Sequence, residues 1–335
     1  MHIIETEGLT KIYPGGVRAV DGIDFAVEEG EIFGFLGPNG AGKTTTIKML
    51  NTLTRPTSGR ATVAGLDVVR NPGKVRRNIG YVAQDVGVDE YQTGRENLSL
   101  YGHLYRLDKK TIRERVKSLF EMVELVEFAD KLVLTYSGGM RKRLDIAMGL
   151  IHQPKVIFLD EPTVGLDPQT RVHIWEYIRT LASNLGITIF LTTHYMEEAD
   201  QLADRVAIID LGKIIRIGTP AELKQSVRGD VVTLSFGPGA NEDFTERTEA
   251  ILAGTDFVLR TEATNGELAV YVDNGETAAP AIMRLLDESN ILINTISVSK
   301  PTLDDVFLKY TGRTMRTEEG KASTPHQIHH KRLKR

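Results

Sequence analysis

Short runs of apolar and β-branched residues alternate with longer segments of helical periodicity from residue 1 to about residue 225. The predicted strands of this region are 31–36, 61–63, 79–83, 156–160, 187–191, 206–210 and 213–217. Apolar residues also recur at helical spacing between 111 and 127, which predicts an amphipathic helix there. Strands that alternate with helices predict an α/β fold with a largely parallel central sheet.

The pattern changes after residue 228, where glycine and proline interrupt the chain. The elements predicted beyond this point are strand 231–236, helix 242–253, strands 256–261 and 266–272, helix 277–288, strand 291–298 and helix 303–311. The order β-α-β-β-α-β is that of a ferredoxin-like α+β domain. We therefore expect one domain over 1–228, a small α+β domain over 229–312 and a basic, disordered tail over 313–335.

Composition excludes several classes of function. The chain has 335 residues and a net charge of −4, so it is not a globally basic nucleic-acid binder. It contains no cysteine, which excludes disulfides, thiolate zinc sites and a cysteine nucleophile. The longest apolar runs, such as 146–151 and 156–159, fall well short of the ~18–20 residues that span a bilayer. The first residues do not have the form of a secretion signal, so we expect a chain that meets a membrane only through a partner.

Residues 37–44 have the sequence Gly-Pro-Asn-Gly-Ala-Gly-Lys-Thr, a full match to the phosphate-binding pattern G-x-x-x-x-G-K-[ST]. A predicted strand precedes the pattern and a predicted helix follows it. Glycines let backbone N–H groups approach phosphate oxygens, and the start of the helix adds its positive dipole end. The predicted nucleotide-binding residues of this loop are Gly37, Pro38, Asn39, Gly40, Ala41, Gly42, Lys43, Thr44 and Thr45. Lys43 would bind the β- and γ-phosphates of ATP, and the Thr44 hydroxyl would bind Mg²⁺.

A second motif, at 156–161, consists of four apolar residues followed by two acids. Such a run predicts a strand buried on both faces, and ligands bind at the carboxyl end of such strands. Asp160 suits Mg²⁺, and Glu161 suits the base that polarises an attacking water. Because two adjacent carboxylates beside a triphosphate repel each other, we expect the pKa of Glu161 to be raised.

Residues 136–144 have the sequence Tyr-Ser-Gly-Gly-Met-Arg-Lys-Arg-Leu. Here the chain resembles the ATP-binding-cassette (ABC) ATPases, whose signature is usually Leu-Ser-Gly-Gly-Gln. Further motifs of that family follow in order over about 1–225. Tyr13 matches the aromatic that stacks on adenine, Gln84 matches the Q-loop glutamine, and His194 matches the switch histidine. Glu161 to Asp167 matches the run from the catalytic glutamate through the D-loop.

The resemblance implies a division of roles. Glu161, His194, Lys43 and Gln84 would act in catalysis, and Thr44, Gln84 and Asp160 would hold the metal. In the family two cassettes pair head to tail, so that Ser137, Gly138, Gly139 and Asp167 of one subunit close on the ATP held by the other. We therefore expect a homodimer with ATP at its interface. Residues 85–135 would form the helical lobe, and the surface near Gln84 would bind a separate transmembrane permease on the cytoplasmic face of the cell membrane.

Within the family the chain is similar to the daunorubicin-resistance type of drug-export ATPases, which share the Tyr-Ser-Gly-Gly-Met signature and a C-terminal extension ending like 302–312. Met140 replaces the usual signature glutamine and has no amide to donate. Two alternatives stay open: an ABC ATPase that acts on the ribosome or DNA, and a nucleotide-dependent regulatory protein with little turnover. The spacing of 52 residues from Gln84 to Tyr136 is too short for the coiled coils of chromosome-type relatives. The three basic residues after Met140 would ordinarily form a solvated face, and the resemblance leaves dimer contacts as a second role for them.

Overall fold

The computed structural model describes residues 1–227, 229–236, 242–264 and 267–312, and the predicted tail lies outside these residues. The strands are β1 (His2–Ile12), β2 (Arg18–Glu28), β3 (Ile32–Leu36), β4 (Ser58–Val63), β5 (Leu66–Asp67), β6 (Ile79–Val82), β7 (Val156–Asp160), β8 (Thr188–Thr193), β9 (Arg205–Asp210), β10 (Lys213–Gly218), β11 (Asp230–Phe236), β12 (Val258–Thr264), β13 (Glu267–Val272) and β14 (Ile293–Ser299). The helices are α1 (Lys43–Leu50), α2 (Pro72–Asn78), α3 (Gly94–Leu104), α4 (Lys109–Met122), α5 (Gly138–Leu150), α6 (Pro168–Leu185), α7 (Met196–Leu202), α8 (Pro220–Ser226), α9 (Glu242–Ala253), α10 (Gly275–Glu288) and α11 (Leu303–Thr311). The described residues divide into a unit that ends at Pro220 and a second that begins at Ala221.

The first unit contains two sheets. The larger has the order β10-β9-β3-β8-β7-β6, and all of its pairs are parallel except the β9–β10 hairpin. All five residues of β7 are buried, as the continuous apolar run predicts. This arrangement brings the carboxyl ends of β3, β7 and β8 to one edge of the sheet.

The second sheet of this unit is antiparallel and has the order β2-β1-β4-β5. Neither β1 nor β2 is among the strands predicted from the sequence. Shifts in register interrupt the pairing of β1 with β2 at several points, so the alternation of buried and exposed side chains along β1 is irregular. The side chains of both strands pack into the core around Phe190, whose ring centre lies 5.4–5.9 Å from those of four other phenylalanines.

Helix α4 is shorter than predicted. Asp108 caps its start by accepting hydrogen bonds from the amides of Lys110 and Thr111. The helix ends at Met122, and Glu124 then adopts a left-handed backbone with φ of 54°. The continued apolar spacing to 127 belongs to a short 3₁₀ turn, Val126–Phe128, and not to the helix.

The second unit contains an antiparallel sheet of order β12-β13-β11-β14. Helix α10 packs against β11 and β14 through buried residues that include Ile282 and Leu286. The first strand lies between the third and the fourth, which is the ferredoxin-like arrangement predicted from the element order.

Candidate active site

The glycine-rich loop joins β3 to α1 and is held tightly by its neighbours. The Gly37 amide donates to the Thr193 carbonyl at 3.2 Å. A Cβ on Gly37 would lie 2.2 Å from the Ile209 carbonyl oxygen, and one on Gly42 would lie 2.4 Å from that of Ala19. Only glycine fits at these two positions, because the obstructing atoms belong to backbone. The third loop glycine, Gly40, has open space beside it.

Lys43 begins α1 and is buried beneath the loop. Its Nζ donates to the carbonyls of Gly37 at 2.6 Å and Pro38 at 3.1 Å, and lies 3.1 Å from Oε1 of Glu161. Burial lowers the pKa of Lys43, and the neighbouring carboxylates oppose that shift. The ammonium therefore lies between two backbone carbonyl oxygens and a carboxylate oxygen.

Thr44 and Asp160 meet at the carboxyl end of β7. The Thr44 hydroxyl donates to Oδ1 of Asp160 at 3.2 Å, and the Thr192 hydroxyl donates to the same atom at 2.6 Å. Asp160 and Thr192 are partners in the parallel β7–β8 register, which explains why they are adjacent. A hydroxyl and a carboxylate side by side are hard oxygen ligands of the kind that Mg²⁺ prefers.

Glu161 follows β7 in a left-handed conformation with φ of 48°, which is unusual for a residue with a side chain. Its amide donates to the Thr192 hydroxyl at 3.1 Å, and its Oε2 lies 3.2 Å from Nδ1 of His194. Burial acts to raise its pKa, but His194 and Lys43 outweigh burial and hold the pKa below its ordinary value. The expected rise in pKa concerned a carboxylate beside a triphosphate, whereas here His194 and Lys43 flank Glu161 and lower its pKa.

The signature residues form a second group with the D-loop. Ser137 caps α5 by accepting from the Met140 amide at 3.3 Å. Asp167 caps α6 by accepting from the Thr170 amide at 2.9 Å and hydroxyl at 2.7 Å. A Cβ on Gly139 would lie 2.6 Å from Cγ2 of Thr170, so the two helix starts are in close contact.

Tyr13 and Gln84 are the two remaining residues that the sequence predicts at this site. Tyr13 is half-buried in the turn between β1 and β2, and Lys11 Nζ lies 5.2 Å from its ring centre. Gln84 is exposed just beyond β6, at the same edge of the sheet as Asp160. In the part of the chain that the structure describes, neither side chain is hydrogen-bonded to the glycine-rich loop.

The basic residues after Met140 do not form the solvated face expected from the sequence. Lys142 is 3% exposed and donates to the Ala83 carbonyl at 3.1 Å. Arg141 pairs with Glu90, and Arg143 donates to the Val123 carbonyl at 2.9 Å. These side chains tie α5 to neighbouring segments of the same subunit.

Comparison with known proteins gives two matches to family models: "ABC transporter" over residues 20–164, and "ATP-binding protein DrrA1-3-like, C-terminal domain" over residues 218–311. The daunorubicin resistance ATP-binding protein DrrA2 of Streptomyces coeruleorubidus is 43% identical over 323 residues, which cover 96% of this chain and 99% of the relative. The chain belongs to the ABC transporter ATP-binding proteins. The resemblance inferred from its motifs, the cassette fold and the ATPase class are thereby confirmed.

Other ABC proteins match over similar lengths. The Nod factor export ATP-binding protein I of Ralstonia nicotianae is 40% identical over 315 residues, which cover 94% of this chain and 95% of the relative. A dimeric ATP-binding cassette in a post-hydrolysis state, bound to ADP and Pi, superposes with a TM-score of 0.58 at 28% identity over 64% of this chain and 98% of that one. Among the described residues, none of the helices combines the length and apolar character needed to cross a membrane.

Thr192 is the residue of this ABC site that sequence reasoning missed. Its hydroxyl donates to Asp160 and accepts from the Glu161 amide, so it orients both acids. The threonines immediately before His194 at the end of a predicted strand were the available signal. They could be interpreted only once β7 and β8 were known to be neighbours.

Proposed function

We propose that this ABC ATPase powers export through a separate transmembrane permease, as a dimer that closes on two ATP molecules with Mg²⁺. The catalytic part of this proposal rests on one observation: Glu161 contacts both Lys43 and His194 next to the glycine-rich loop. Thr44 and Asp160 are hydrogen-bonded to each other beside this group. A phosphate-binding cation, a base and a pair of hard oxygen ligands are what phosphoryl transfer to water requires.

Lys43 exchanges partners when nucleotide binds. Its ammonium leaves Glu161 for the β- and γ-phosphate oxygens, and the loop amides donate to the same phosphates. Glu161 thereby loses one of the groups that lower its pKa, and its Oε1 becomes available to a water molecule. The carboxylate then orients this water and accepts its proton as the water oxygen bonds to the γ-phosphorus. The bond between that phosphorus and the oxygen shared with the β-phosphorus breaks, so ADP leaves with this oxygen, while His194 donates to the transferring phosphoryl group.

The hydroxyl of Thr44 and the carboxylate of Asp160 would hold Mg²⁺, with Gln84 as a third ligand. The metal would neutralise charge that develops on the phosphate oxygens. Thr192 keeps the Asp160 carboxylate in position for this task through its 2.6 Å hydrogen bond.

The signature residues Ser137, Gly138 and Gly139 would act on the nucleotide held by a second subunit. The start of α5 offers backbone amides and the Ser137 hydroxyl, which together can bind an anion. In a symmetric pair each such corner would close on the γ-phosphate held by the partner, with Asp167 beside it. The dimeric relative with ADP and Pi supports this arrangement.

An exposed apolar patch on the helical lobe is the proposed contact with the permease. Segment 90–93 pairs with segment 132–134 through backbone hydrogen bonds, and Tyr91, Leu132 and Leu134 are 82%, 47% and 51% exposed there. Exposed apolar residues grouped in this way mark interaction surfaces. The exported compound would be an amphipathic molecule of the drug class, by similarity to the daunorubicin-resistance relative.

The substitution Glu161→Gln tests the catalytic part, because it keeps the shape of the side chain and removes its basicity. We expect turnover to fall by about 10²- to 10⁴-fold while ATP stays bound and an ATP-dependent dimer accumulates. Turnover is measured by phosphate release and dimerisation by light scattering. The control is Glu121→Gln, at an exposed residue of α4. Normal turnover of Glu161→Gln would show that another group is the base.

The permease part is tested by co-purification from detergent-solubilised membranes of the native cell. The full chain should recover a polytopic membrane protein, and Tyr91→Asp should lose it. Leu53→Asp, at an exposed apolar residue outside the lobe, should retain it. Recovery of the chain without any membrane protein would contradict the proposed coupling.

A further inference from the structure

Helix α5 contacts the segment 83–90 through three charged side chains. Lys142 donates to the Ala83 carbonyl, and Arg141 pairs with Glu90. Asp145 lies against Gly87, where an added Cβ would be 3.5 Å from its Oδ1. The contacts therefore cover the beginning, the middle and the end of the segment.

Lys142 and Asp145 are two buried charged residues of α5. They are 3% and 6% exposed, and Nζ lies 3.8 Å from Oδ2. Burial raises the pKa of Asp145 to about 6, and Lys142 and the Gly87 amide oppose the shift. Buried pairs of this kind are frequently less stable than apolar residues of the same volume, so stability alone does not account for this one.

Gln84 is the second residue of the segment, directly after Ala83, and α5 begins at the Ser137 corner. Under the proposed function, on which this inference rests, Gln84 binds the metal and Ser137 contacts the partner's nucleotide. Lys142 lies five residues after Ser137, about 7.5 Å along the helix axis. A single rigid helix therefore connects the carbonyl before Gln84 to the signature corner.

We propose that Lys142 and Asp145 are positioning residues, which hold the 83–90 segment on the signature helix and so set the place of Gln84 relative to the nucleotide site. Lys142 fixes the carbonyl before Gln84, and Asp145 fixes the backbone at Gly87. Neither side chain touches substrate. Their effect is on the geometry of the step that uses Gln84.

The experiment compares Lys142→Met with Arg143→Met in the full chain. Arg143 is the matched control, because it lies on the same helix and also donates to a loop carbonyl, that of Val123. For Lys142→Met we expect kcat to fall ~10- to 100-fold, with KM for ATP within about threefold, because misplacement affects the reacting geometry more than nucleotide binding. The Mg²⁺ concentration for half-maximal activity should rise, and hydrogen exchange of amides 84–90 should accelerate while that of α1 is unchanged. Arg143→Met should change none of these quantities.

Lys142→Arg, which keeps a cationic donor, should recover part of the lost kcat. If Lys142→Met does not fold, Asp145→Asn is measured by the same criteria. Wild-type exchange at 84–90 together with wild-type kcat would overturn the proposal. A loss of kcat with faster exchange throughout the first unit would also overturn it, since that is a purely structural effect. Absence of ATP turnover in the wild-type chain would instead contradict the proposed function, and the exchange comparison would still decide whether α5 holds the segment.

Discussion

Lys43 is surrounded by oxygen atoms of the loop and of Glu161, which makes its charge the first target for mutation. Lys43→Ala should weaken ATP binding by about 10- to 100-fold, because charge-assisted hydrogen bonds of ~1.5–3 kcal/mol are lost, and should abolish turnover. Binding is measured by calorimetry. Lys48→Ala, at an exposed position on the same helix, is the control and should bind normally. Unchanged affinity of Lys43→Ala would exclude a phosphate contact for this side chain.

His152 provides a pH-dependent contribution to stability. Its ring stacks on Tyr105 with centres 3.7 Å apart, its Nε2 lies 2.8 Å from the Ile79 carbonyl, and burial lowers its pKa to about 4. The stabilisation is therefore complete above the unfolded pKa of about 6.5 and is lost as the pH falls towards 4.

His152→Gln should remove this dependence. We expect the wild-type free energy of unfolding to drop by on the order of 2 kcal/mol between pH 7 and pH 4.5 beyond the drop of the variant. Urea unfolding at the two pH values measures the difference. His103→Gln, at an exposed residue of α3, should follow the wild type. Identical pH profiles for wild type and His152→Gln would show that the ring titrates equally in both states.

At the scale of elements, the contact between the starts of α5 and α6 depends on the absence of a side chain at residue 139. Gly139→Ala should destabilise the first unit by about 1–3 kcal/mol, because its methyl would lie 2.6 Å from Cγ2 of Thr170. Thr170→Ser removes that methyl and keeps the hydroxyl bonded to Asp167. The double variant should recover most of the loss in thermal unfolding, and purely additive effects would contradict the contact.

The elements predicted from the sequence are those whose signal is local. The apolar runs before Asp160 and before the glycine-rich loop predicted β7 and β3 nearly to the residue. Strands β1 and β2 were missed, because register shifts obscure the two-residue period. The pairing of Thr192 with Asp160 and the burial of Lys142 depend on which strands and helices are neighbours, which no local pattern contains.

At the scale of the whole molecule, the two units have separate cores, and every residue proposed for catalysis belongs to the first. We propose that the predicted domain over 229–312 has a dimer-contact or regulatory role. A chain that ends at residue 228 should therefore fold and bind ATP with wild-type affinity, as measured by calorimetry and circular dichroism. A folded truncated chain that does not bind ATP would show that the domain over 229–312 is needed for ATP binding, which would contradict the proposed role.

The hydroxyl group of Thr192 is hydrogen-bonded to both acidic residues of the site. It donates to the Asp160 carboxylate and accepts from the Glu161 backbone amide. Under the roles proposed for Asp160 and Glu161, Mg²⁺ affinity and proton abstraction therefore depend on the same hydroxyl group and cannot be changed independently at residue 192. A valine there would retain the shape of the threonine and disturb both properties at once. A substitution intended to alter only one of these properties must therefore be made at another residue of the site.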